Sequence, residues 1–176
     1  MGAILIQLIP HNFKDVGEKE NVKSFLQSSC AAIKKKTEEE ARCGIPQQAG
    51  QDNYWYGSIY FSDDAFGGLA PLIYLRKDFW QLEYPCHYPY VMMKHEGELL
   101  VRNLCAKLAQ ALGAAYSHYC DEYFVTAFEN INDSFEDLMN QAQQEGVALY
   151  NADYYLKRIW SDVKDDYPHH FDDYYK

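Results

Sequence analysis

Residues 54–76 read Tyr-Trp-Tyr-Gly-Ser-Ile-Tyr-Phe-Ser-Asp-Asp-Ala-Phe-Gly-Gly-Leu-Ala-Pro-Leu-Ile-Tyr-Leu-Arg. Tyr54 to Phe61 is aromatic-rich and partly alternating, the pattern of a half-buried strand. Ser62 to Gly68 holds two glycines and two aspartates, which is turn chemistry. Leu69 to Arg76 is a second extended run. The stretch therefore predicts a hairpin of antiparallel strands.

Outward from the hairpin, helical and extended patterns alternate. Ala3 to Ile9 is apolar and closed by Pro10. It lacks a basic leader and a small-residue cleavage site, so it reads as a buried strand and not as a signal peptide. Residues 21–43 predict a helix capped by Asn21, with Val22, Phe25, Leu26, Cys30 and Ile33 at helical spacing. Lys34-Lys35-Lys36 before Glu38-Glu39-Glu40 gives three i,i+4 pairs in the weaker, Lys-first order. Gly44 and Pro46 are expected to end this helix. Residues 45–53 form a polar connection. Residues 79–93 carry two prolines among many aromatics and are expected to be an ordered loop or an edge strand.

Residues 96–112 give the clearest helical pattern: Leu100, Leu104, Leu108 and Leu112 step by four beside Val101 and Cys105, with Gly113 at the C′ position. Residues 114–128 read as extended. Asp133 is expected to open a third helix, with Glu136 three residues on. Val147 to Tyr150 reads as a short strand and residues 152–164 as a last helix. Residues 165–176 read as a mobile tail. The order β-α-β-β-α-β-α-β-α predicts one α+β domain over residues 1–176, a mixed or mostly antiparallel sheet with about four helices packed on it.

Composition narrows the function classes. An apolar share of 48% excludes a disordered chain. No apolar stretch approaches the roughly 18 residues of a membrane span. The five cysteines are odd in number and widely spaced, with no C-x-x-C pair; they read as reduced thiols in a cytoplasmic protein. The net charge of −10 argues against direct nucleic-acid binding through a basic groove. There is no G-x-G-x-x-G, no P-loop and no G-x-S-x-G, and no cofactor is expected.

The charge is also unevenly placed. Residues 1–112 hold 12 basic and 13 acidic residues, whereas residues 113–176 hold 4 basic and 13 acidic. Between Lys107 and Lys157 there is no Lys or Arg, and eight acids occur there. They are interleaved with aromatics, in a chain with 16 tyrosines. Tyrosine offers large contact area at low entropic cost, and carboxylates beside it steer a basic partner. Tyr119, Asp121, Glu122, Tyr123, Glu129, Asp133, Glu136 and Asp137 are therefore the candidate partner-binding residues. A soluble acidic face over half-buried tyrosines explains the same pattern without a partner.

Other clusters offer chemistry in weaker form. His118-Tyr-Cys120-Asp121-Glu122 holds an imidazole, a thiol and two carboxylates, which could serve a metal or acid–base enzyme through His118, Asp121 and Glu122. No second cluster completes a ligand set, so no metal is expected. Cys86-His87 lacks the surroundings of an activated thiolate. His95-Glu-Gly-Glu98 is not H-E-x-x-H, because Leu stands at position 99. His169-His170 near two aspartates fits adventitious metal binding only. The leading expectation is an inhibitor that masks a basic surface of a protein partner, in its sharpest form a bacterial immunity protein that neutralises a cognate toxin. A DNA mimic is the third reading, and −9 over one third of the chain is thin for it.

Overall fold

A computed structural model describes residues 5–48, 54–84, 95–114, 117–121, 134–137 and 140. In chain order the elements are β1 (Leu5–Pro10), α1 (Lys19–Thr37), β2 (Arg42–Cys43), β3 (Gln47–Gln48), β4 (Trp55–Tyr60), a 3-10 turn (Ala65–Gly68), β5 (Leu72–Leu75), β6 (Phe79–Tyr84), α2 (His95–Ala111) and β7 (His118–Asp121). The sheet runs β2-β4-β5-β6-β1-β7, with β3 joined to β4 beside this path. Every pairing among the described residues is antiparallel. The class is α+β, as the element order predicts. The helix count differs: the described residues hold three, α1, α2 and the 3-10 turn, and not about four. Of the helix expected from Asp133, helical backbone is described at 135–137 and at residue 140. The expected strand at 147–150, the helix at 152–164 and the tail at 165–176 lie outside the described residues.

The hairpin of residues 54–76 forms as β4 and β5, with Ile59 opposite Ile73 and Gly57 opposite Leu75. Phe66 and Gly67 both take positive φ in the turn between them, 53° and 67°. β1 is an inner strand between β6 and β7. Leu5, Ile6, Gln7, Leu8 and Ile9 are all buried. This two-sided burial is why the run is continuously apolar but for one residue and does not alternate.

β6 corrects the expectation of a loop or edge strand, for it pairs with β5 on one side and β1 on the other. Its last residue, Tyr84, precedes both prolines, so the missing N–H groups of Pro85 and Pro89 do not touch its ladder. Within it, Trp80, Leu82 and Tyr84 join the core beneath the helices. Strict alternation then places Phe79, Gln81 and Glu83 on the opposite face.

Both helices pack on one side of this sheet. α1 buries Val22, Leu26, Ser29 and Ile33, a spacing of four, three and four. It begins after Glu18, not Asn21. It also ends at Thr37, well before Gly44: Glu38 adopts φ 67° and its N–H donates to the Lys34 carbonyl at 2.8 Å. The Lys/Glu run therefore does not form a helical ladder of ion pairs. Lys34 instead pairs with Glu40 across the turn, and both side chains are exposed. α2 buries Val101, Leu104, Cys105 and Leu108, while Leu100 is 50% exposed. The buried stripe thus lies one residue along from the expected Leu100 start. Gly113 closes α2 at φ 73°. Its N–H donates to Gln110 and that of Ala114 to Ala109, the paired bonds of a Schellman end.

Gly57 fixes how closely α1 approaches β4. A Cβ built there would stand 2.4 Å from Leu26 Cδ1 and 3.4 Å from both Cγ and Cδ2. Leu26 is itself fully buried and has no solvent to move into. Gly57→Val is expected to cost about 1–3 kcal/mol through overpacking. Urea unfolding of the variant measures this, and pairing it with Leu26→Ala should recover part of the loss.

Candidate partner-binding surface

Two of the expected binding residues sit at exposed positions that the structure describes in detail. Ser134 caps the helical turn at 135–137: the Asp137 N–H donates to Ser134 Oγ at 3.1 Å, and the Ser134 hydroxyl donates to Asp137 Oδ2 at 2.8 Å. The cap is thus Ser134 with Asp137, one residue on from the expected Asp133 with Glu136. A hydroxyl that both accepts and donates closes this arrangement locally. Glu136 and Asp137 are exposed.

Phe135 moors this acidic turn to the sheet. Its ring lies 5.9 Å from Phe79, and its N–H donates to Asp78 Oδ1 at 2.7 Å. Asp78 belongs to the tight turn between β5 and β6, where the Arg76 N–H donates to the Phe79 carbonyl. The Asp78 carbonyl accepts from His11 N–H at 2.8 Å. One aspartate therefore joins β1, the β5–β6 turn and the acidic turn.

Tyr119 and Asp121 fall on β7, opposite Gln7 and Leu5; β7 is the last strand of the sheet, beside β1, among the described residues. Glu122, Tyr123, Glu129 and Asp133 lie outside the described residues. His118 and Cys120 also fall on β7, opposite Leu8 and Ile6. Among the described residues no three of His, Cys, Asp and Glu come together to hold a metal. Cys86 and His87 lie outside the described residues, as do His169 and His170.

A second polar surface was not anticipated. On the sheet face away from the helices, alternation places Tyr56, Ser58 and Tyr60 of β4 beside Leu72 and Tyr74 of β5 and Gln81 and Glu83 of β6. Tyr60 is 42% and Leu72 37% exposed. A chain of contacts crosses the face. Arg76 Nε donates to Gln81 Oε1 at 3.2 Å, and Gln81 Nε2 donates to Glu83 Oε1 at 2.6 Å. The guanidinium of Arg76 lies 4.9 Å from the centre of the Tyr74 ring. Burial lowers the proton affinity of Arg76 and raises the pKa of the Tyr74 phenol, the latter reinforced by Glu83. Next to this array, an open cleft of about 310 Å³ is lined by Tyr60, Phe61, Asp63, Leu72 and Glu83 among others. The signal for this face was present in the period of two along residues 79–84, where Gln81 and Glu83 alternate with apolar residues.

Beneath the surfaces, two polar side chains are held in fixed roles. Gln7 is fully buried. Its Oε1 accepts from the Tyr84 hydroxyl at 2.6 Å, and its Nε2 donates to the Cys105 carbonyl and to Ser117 Oγ, both at 3.2 Å. These bonds join β1, β6, α2 and the approach to β7, and they make burial of the amide tolerable. His11 sits among Phe13, Phe25 and Trp80. Its Nδ1 accepts from Phe13 N–H at 3.2 Å, which leaves Nε2–H to donate to the Arg76 carbonyl at 3.0 Å.

Burial pushes the His11 pKa below the ordinary 6.5, against the opposing pull of the Arg76 carbonyl and Asp78. As pH falls through 6.5, the unfolded chain takes up this proton before the folded chain does. The contribution of His11 is thus complete above that value and is lost as pH drops below it, through the depressed folded value. Between about pH 8 and about pH 5, His11→Phe should lose less stability than the parent chain, measured as the difference in urea midpoints.

No helix among the described residues is long and apolar enough to cross a membrane. Compared with protein-family models, curated proteins and solved structures, the chain finds no significant match in any of the three.

Proposed function

We propose that the chain is a protein-binding module that covers a basic surface of its partner, and in its sharpest form an immunity protein that neutralises a cognate toxin with a cationic cleft. The observation that carries this reading is the stretch from Lys107 to Lys157: eight acids, no cation between them, tyrosines towards both ends (Tyr116, Tyr119, Tyr123; Tyr150, Tyr154, Tyr155) and phenylalanines between. The exposure of Glu136 and Asp137 on a turn moored by Phe135 supports it, because carboxylates held in place lose less entropy on binding than mobile ones. The mechanism is steric and electrostatic. Carboxylates pair with Lys and Arg of the partner, tyrosine rings fill its cleft, and the partner's own substrate is excluded.

The test is capture of partners by the tagged full chain from lysate of its native host, at low and at moderate salt, with Asp133→Lys/Glu136→Lys/Asp137→Lys as the control bait. The reading expects a basic protein, recovered near stoichiometry by the parent chain, depleted by the charge-reversed bait and released as salt rises. Equal recovery on both baits, or a partner that salt does not release, contradicts it.

A further inference from the structure

Cys30 and Cys43 stand 13 positions apart in the sequence, on different elements, yet their Sγ atoms lie 2.6 Å apart. Cys30 is on α1, and Cys43 is the second residue of the edge strand β2. The approach is a product of the fold. Glu38 reverses the chain after α1, and β2 then pairs with β4 through Arg42 opposite Tyr60 and Cys43 opposite Ile59. The Gly44 N–H donating to the Ser58 carbonyl at 2.8 Å holds the residue after β2 against β4. Both thiols are free and half-buried, so a small reagent can reach them, whereas the third described cysteine, Cys105, is buried in the core.

We propose that Cys30 and Cys43 form a reversible redox site, oxidised to a disulfide by low-molecular-weight disulfides and reopened by thiols. Two cysteines whose sulfurs already touch meet the first requirement for a bridge, that their side chains face each other. In the forward direction the Cys43 thiolate attacks one sulfur of the small disulfide. A mixed disulfide forms on Cys43 and one small thiolate leaves. Cys30 then gives its proton to solvent and attacks Cys43 Sγ, and the second small thiolate leaves. The two protein thiols are oxidised, one small disulfide is reduced to two thiols, and the charges balance after proton uptake by the leaving groups. Burial and the adjoining Cys43 thiol push the Cys30 pKa well up, and the exchange balances identically with the two protein thiols in the opposite roles. The cross-link closes the α1–β2 connection and fastens the two-residue edge strand to the helix. It is independent of the proposed partner.

The test treats the full chain with oxidised glutathione, blocks remaining thiols, digests with trypsin without reductant and identifies linked peptides. The expected product joins peptide 24–34 to peptide 43–76 and is abolished by dithiothreitol. A short closed loop of this size should raise Tm by about 6–12 °C in the oxidised chain. Cys43→Ser, at a half-exposed edge position, should show neither the link nor the shift. A chain whose Cys30 and Cys43 stay unlinked at the most oxidising ratio, or whose link involves Cys86, Cys105 or Cys120 instead, overturns the proposal.

Discussion

Trp80→Ala is expected to destabilise the chain by about 3–5 kcal/mol, the range for removing a fully buried large aromatic. Trp80 is completely buried on the helix-facing side of β6, opposite Leu75 of β5. Its ring stacks on Phe25 of α1 at 5.4 Å and meets the edge of His11 at 5.8 Å. Phe25 in turn stacks on Phe13 at 4.2 Å. The indole therefore holds α1, the segment after β1 and the inner strands together. For a chain of this length the corresponding fall in Tm is about 6–20 °C. Trp80→Phe is the informative companion. The indole N–H has no hydrogen-bond partner among the described residues, so phenylalanine keeps the stacking and forfeits no identified bond. Urea unfolding should place Trp80→Phe clearly between the parent and Trp80→Ala. An alanine variant as stable as the parent would remove Trp80 from the centre of the packing.

The hairpin was legible in residues 54–76 because two local signals agreed there: alternation along the strands and glycine–aspartate chemistry between them. α2 was legible for the same reason, its apolar spacing ending where Gly113 begins. Elsewhere local signals misled. The prolines at 85 and 89 argue against regular structure over the whole of 79–93, although both follow β6, which ends at Tyr84. The Lys/Glu run after Ile33 has good helix propensity, and nothing in it announced the stop. Glu38 takes a left-handed conformation that glycine usually supplies, at a cost only tertiary packing can offset. That single residue decides where β2 falls, and with it the meeting of Cys30 and Cys43. A contact that depends on a reversal without a local signature cannot be read from cysteine spacing. The same holds for Gln7, whose amide looks out of place in an apolar strand until Tyr84, Ser117 and the Cys105 carbonyl surround it.

The acidic surface was legible as composition and only partly as geometry. The cation-free stretch is plain in the sequence, whereas the mooring of its turn by Phe135 on Phe79 and by Asp78 depends on the β5–β6 turn arriving at the same place. The cap at Ser134 rather than Asp133 also matters here, because it leaves Glu136 outside the capping bonds and exposed.

Reversing three charges on this stretch should produce the largest functional effect. Asp133→Lys/Glu136→Lys/Asp137→Lys changes the local charge by six units in a segment that carries no compensating cation. Electrostatic steering raises association rates by about 10- to 1,000-fold over the unsteered encounter, and it is screened beyond about 10 Å at ordinary salt. The substitutions lie on exposed turn positions where they are described, and Ser134 keeps its own hydroxyl for the cap, so the fold should be retained apart from the Asp137 share of that cap. Asp133→Lys/Glu136→Lys, which spares Asp137, separates a capping loss from a charge effect.

The most direct measurement is the association rate of the captured basic partner with the parent chain and with the triple variant, by stopped-flow across a series of salt concentrations. A partner-masking acidic surface predicts association slowed by about tenfold or more at low salt, with the two curves converging as salt rises. Superimposable rates and salt dependences for the parent and the variant would contradict the assignment of the binding surface to this stretch.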